Sequence, residues 1–122
     1  MDFSARLDPG TYADDGPVGL GVAEARLLPG PLPDECWAYI PEPLWQRLLS
    51  LGHAYQLHFA QVTEPVIDTV LEPSQCESLC GELEFLASIV SDPAAQKAIA
   101  ELHRCAGRVA RKPSLRLIIS PP

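Results

Sequence analysis

The chain predicts an α+β domain: a mainly antiparallel sheet with a C-terminal antiparallel helix hairpin packed on one face and a final C-terminal strand. Three observations predict it. Two apolar stripes of helical period run through residues 74–112, joined by a connection short enough to fold the second helix back on the first. Short segments of period-two patterning precede them, and an apolar run over 115–119 follows them and needs a sheet to join.

In order along the chain, Phe3, Ala5 and Leu7 alternate with polar residues, as do Val18, Leu20 and Val22 with glycines, which predicts two strands joined by the Asp8 to Pro17 loop. The segment 27–35 holds three prolines and reads as a surface connection, after which Cys36 to Ile40 reads as a third short strand. Pro41 and Pro43 head a short helix, where a missing amide costs nothing. Leu44, Leu48 and Leu51 share its inner side, and Gly52 is placed to close it. Tyr55, Leu57 and Phe59 then alternate with polar neighbours and favour a strand, although Leu51, Tyr55 and Phe59 also fit a continued helix. Val66 to Leu71 reads as a further strand.

The helix pair carries the strongest pattern. Cys76, Leu79, Cys80, Leu83, Leu86, Ala87 and Val90 lie within about 120° of one helix circumference, and Ala95, Ala98, Ile99, Leu102, Cys105, Ala106 and Val109 form an equal stripe on the next. Asp92 is a suitable N-cap with Pro93 at the first helical position, and Pro113 ends the second helix. At 122 residues the length suits one domain over 1–122: a Gly/Pro-rich β and loop segment over 1–35, short strands and a short helix over 36–71, the hairpin over 74–112 and the last strand over 115–120.

Charge is divided unevenly. Residues 1–96 hold three basic and fifteen acidic residues, whereas residues 97–122 hold six basic and one acidic, within a net charge of −7. Such asymmetry steers charged partners without deciding the fold. No apolar run is long enough to span a bilayer, and MDFSARLDPG has no apolar stretch behind a basic cluster, which predicts a soluble, cytoplasmic protein without a membrane partner. Cys76, Cys80 and Cys105 fall on buried stripes and read as reduced core thiols. Cys36, beside Trp37, is the cysteine the pattern does not place.

No cofactor or metal is expected. Cys76 and Cys80 are one turn apart, but His103 points about 160° from Cys105 around the helix, so the paired ligands of a zinc site are incomplete. His53 and His58 diverge on a strand or a helix, and no cysteine and histidine are arranged as nucleophile and base. The chain therefore reads as a non-enzyme.

Two groups of residues remain as candidate binding surfaces. Asp14, Asp15, Asp34, Glu35, Glu77, Glu82 and Glu84 form an acidic set, and Phe85 lies about 140° from the centre of its helix's core stripe, either under a loop or in an interface. Arg104, Arg108, Arg111 and Lys112 crowd the end of the second long helix, as complements to its dipole or as an anion site. Nucleic acid is not favoured, because net positive charge and aromatics interleaved with the basic residues are both missing. The expectation is a small acidic protein-binding module of immunity type, covering the basic active-site region of a toxin or enzyme. The alternatives are a homo-oligomeric structural protein and an anion- or small-molecule-binding enzyme.

Overall fold

The computed structural model describes residues 17–28, 37–64 and 66–121. The expected strand over Phe3 to Leu7, most of the 27–35 connection, and Asp14, Asp15, Asp34, Glu35 and Cys36 lie outside the described residues.

Four strands, β1 (Val18–Glu24), β2 (Trp37–Ile40), β3 (Thr69–Leu71) and β4 (Leu115–Ser120), form one sheet in the order β2-β1-β4-β3, antiparallel throughout. The last strand therefore lies inside the sheet, between the first and the third. Register aligns side chains in rows. Leu20, Ile119 and Thr69 stand in one row and Val22, Leu117 and Leu71 in the next, all on the face that joins the helical core. On the opposite face Trp37, Gly21, Ile118 and Val70 stand in a row. The Trp37 ring lies over Gly21 so closely that a Cβ there would sit 2.8 Å from the ring, which is why that position has none.

The helices are α1 (Glu42–Ala54), α2 (His58–Val62), α3 (Pro73–Ile89) and α4 (Pro93–Arg111). The last two form the expected hairpin. All seven stripe residues of α4 are buried, and α3 buries Cys76, Leu79, Leu83 and Leu86, with Val90 just beyond its end. Each fully buried leucine contributes roughly 1.5–3 kcal/mol over its exposed state. The Asp92 carboxylate accepts the Ala94 N–H at 2.9 Å and also meets Arg47 at 3.4 Å, so one side chain caps α4 and ties it to α1. Gln96 donates its amide to the Ala87 and Val90 carbonyls, closing the end of α3.

Several expectations need correction. The alternating segment around Tyr55 to Phe59 is neither a strand nor an extension of α1 but a turn followed by α2. Gln56 makes the reversal with a φ of 58°, a conformation that costs a non-glycine residue about 1–2 kcal/mol. Gly52 does not terminate α1. It lies buried within the helix, where a Cβ would come to 2.7 Å from the Ala60 Cβ, so the missing side chain is the seat of α2. The strand expected over Val66 to Leu71 is confined to Thr69–Leu71, with Val66 and Ile67 exposed before it. At residue 27 the surface connection begins inside a short 3-10 turn, Ala25–Leu27. Cys80 is only partly buried, because its stripe position is at the margin of the α3–α4 seam.

Candidate functional site

The acidic and aromatic residues of α3 do not act alike. Glu82 leans toward α2, and its two carboxylate oxygens accept the backbone N–H groups of His58 and Phe59, the latter at 3.1 Å. These amides open a helix and have no partner within it, so Glu82 caps α2 from 24 residues away and is not a free surface charge. Glu84 stands on the other flank, 3.5 Å from His103 of α4, with most of its side chain in water. Glu77 is exposed about two turns earlier, with Gly81 between them opening onto empty space.

Among the described residues, no loop covers Phe85. Its ring meets that of Tyr55 edge to face, with centroids 5.2 Å apart at 74°. The pair is in solvent: Tyr55 is 51% exposed and Phe85 40%, and Ile89, one turn further along α3, is 42% exposed. The α1–α2 corner positions Tyr55, Glu82 holds that corner, and α3 supplies Phe85. The result is an apolar strip along one side of the outer face of α3, with Glu77 and Glu84 along the other.

The basic candidates at the end of α4 are partly spent within the chain. Arg104 is paired with Glu101, which holds the Glu101 carboxyl below its usual range and raises the guanidinium above its own. Lys112 reaches Glu24 at 3.1 Å, and hydrogen bonds from Ser114 and Lys112 keep the Glu24 carboxyl low. Arg108 and Arg111 stand exposed in the last turns of α4. Neither of the two clefts described next is lined by any of these four residues.

A cleft of about 240 Å³ lies between α1, α2 and the ends of β1 and β4. Trp45, Leu49 and Ala60 contribute apolar surface, and Glu42, Gln46, His53 and Glu64 its polar groups. Sequence reasoning missed it because its lining comes from four separate elements and the residues after two of them, none carrying a motif. The Thr63 hydroxyl beside it donates to the Phe59 carbonyl at 2.7 Å and is thereby engaged. A second cleft of about 430 Å³ runs between β2, α1 and α4.

Burial pushes the Cys76 thiol up to about 12, and raises those of Cys80 and Cys105 as well, so all three favour the protonated form that is a poor nucleophile and a poor ligand. Among the described residues, no group of three His, Cys, Asp or Glu side chains is placed to hold a metal ion. No helix of the described residues is long and apolar enough to cross a membrane. In comparisons with family models, curated proteins and solved structures, nothing matches the chain.

Proposed function

We propose that this chain is a small, non-catalytic protein-binding module, and that the outer face of α3 takes a basic partner protein in the manner of an immunity-type inhibitor. The observation that carries the reading is the Tyr55–Phe85 pair left in solvent with Ile89 beside it and Glu77 and Glu84 along the same helix. Aromatic groups at the centre of an interface supply most of the binding energy, while charges at the rim raise the association rate. A partner with an apolar anchor flanked by lysine or arginine complements this face. Glu82 belongs to its support, because the corner that presents Tyr55 depends on it.

The test is affinity capture from native lysate at low and high salt with three chains: wild type, Phe85→Ala, and Glu77→Gln with Glu84→Gln. A stoichiometric basic protein retained by wild type, weakened by salt and lost from both variants, supports the reading. Capture that both variants leave unchanged, or recovery of the chain alone, overturns it.

A further inference from the structure

The cleft of about 240 Å³ between α1, α2 and the ends of β1 and β4 holds polar groups that the chain leaves unused. Trp45 lines it and is only 4% exposed, yet among the described residues its indole Nε1–H has no acceptor. That N–H is not sealed into the core either, and the opening that Trp45 lines is this cleft. A buried indole ordinarily finds a partner for its N–H, because a donor taken out of water without one loses a hydrogen bond. The carboxylates of Glu42, at the start of α1, and Glu64, just past α2, stand at the same cleft, and among the described residues neither is met by a donor or a cation. No lysine or arginine is among the described lining residues, whereas Val18, Leu49, Ala60 and Ile119 supply apolar surface.

We propose that this cleft binds a small organic ammonium compound that also carries a hydrogen-bond acceptor. The ammonium meets the Glu42 and Glu64 carboxylates, an oxygen of the ligand accepts the Trp45 N–H, and the hydrocarbon body covers Leu49 and Ala60. Two carboxylates repel an anionic ligand, and a volume below the roughly 300 Å³ at which drug-sized sites begin keeps the ligand small. A metal ion is the wrong occupant: among the described residues no group of three His, Cys, Asp or Glu side chains is placed to hold one, and the indole needs an acceptor that a bare cation lacks. This site is separate from the outer face of α3 and goes beyond the function proposed above.

Leucinamide is the probe, since it joins an ammonium, an amide oxygen and an isobutyl body, with isocaproamide as its counterpart without the ammonium. In nitrogen–proton correlation spectra, the indole resonance that Trp45→Phe removes and Trp37→Phe retains is expected to move as leucinamide is added, with a Kd below about 1 mM. Isocaproamide binds at least about tenfold more weakly. Glu42→Gln and Glu64→Gln each weaken leucinamide by about fivefold or more with unchanged circular dichroism and melting, whereas Glu84→Gln, on the α3 face, leaves the affinity as it is. Trp45→Phe keeps a ring in the core and weakens leucinamide by about threefold to tenfold. A Trp45 resonance that leucinamide leaves in place, equal affinity for the two amides, or binding that survives Glu42→Gln and Glu64→Gln together overturns the proposal.

Discussion

The two long helices of the hairpin share one seam but differ on their outer faces. α4 is a clean amphipath: seven buried residues inside, and outside a row of Lys97, Glu101, Arg104, Arg108 and Arg111, in which Arg104 is already neutralised by Glu101. α3 buries most of its inner stripe, with Cys80 at the margin, yet leaves Phe85 and Ile89 in water, with one of its acidic residues used to cap α2. The basic cluster that dominates the charge map is thus partly engaged within the chain, whereas among the described residues the apolar groups on the outer face of α3 meet chiefly Tyr55. Uncompensated apolar surface, more than net charge, marks where a partner gains free energy.

Measurements of stability and thiol reactivity sharpen or break this contrast. Leu83→Ala in α3 and Leu102→Ala in α4 remove equivalent, fully buried side chains from the seam, and each is expected to cost about 2–5 kcal/mol in urea unfolding. A cost below about 1 kcal/mol for either would mean that the helices do not share one core. Gly52→Ala drives a Cβ against Ala60 and Phe59 and is expected to cost about 1–3 kcal/mol, loosening the corner that carries Tyr55 and lowering the Tyr55 contribution to near-ultraviolet dichroism.

The inner face of α3 also sets a pH dependence. An ordinary thiol titrates at 9.0 and Cys76 is pushed up to about 12, so the unfolded chain releases this proton before the folded one does. The contribution of Cys76 is complete below pH 9.0 and is lost as pH rises from there toward 12, by up to about 1.4 kcal/mol per pH unit. Cys76→Ala should flatten that slope in denaturant titrations at successive pH values. Of the three described cysteines, partly exposed Cys80 should be the first modified by a thiol reagent in the native protein.

On the outer face, Glu82→Gln is expected to destabilise by about 0.5–2 kcal/mol through the lost charge at the start of α2, whereas Glu84→Gln should stay within about 0.5 kcal/mol of wild type. Equal effects would erase the distinction between the supporting carboxylate and the exposed one. The smallest change is Gly81→Ala, where a Cβ meets nothing within 4 Å, and a gain of about 0.5–1 kcal/mol in helix stability is expected.

Much of the fold was legible because its signals are local. The α3 and α4 stripes, the Asp92 cap and the strand character of β1, β2 and β4 follow from periodicity and punctuation within a few residues. The segment at 55–59 was not, since alternation of Tyr55, Leu57 and Phe59 satisfies a strand pattern. What forms a helix there is an acceptor for the amides of His58 and Phe59, and that acceptor is Glu82, distant in sequence. The same distance hid the role of Glu82 and the ring that meets Phe85: a helical wheel shows which residues leave the core but not what they meet outside it.

By itself, then, the sequence determined the α+β class, the helix hairpin with its inward faces, and the division of charge between the two parts of the chain. Tertiary structure alone decided the strand order β2-β1-β4-β3, the insertion of β4 between β1 and β3, the helical state of 58–62 and the exposure of the Tyr55–Phe85 pair. The physical reason is range. Hydrophobic period and capping act over one or two turns, while strand pairing and the satisfaction of helix ends depend on groups 16 to 101 residues apart, brought together only when the core closes.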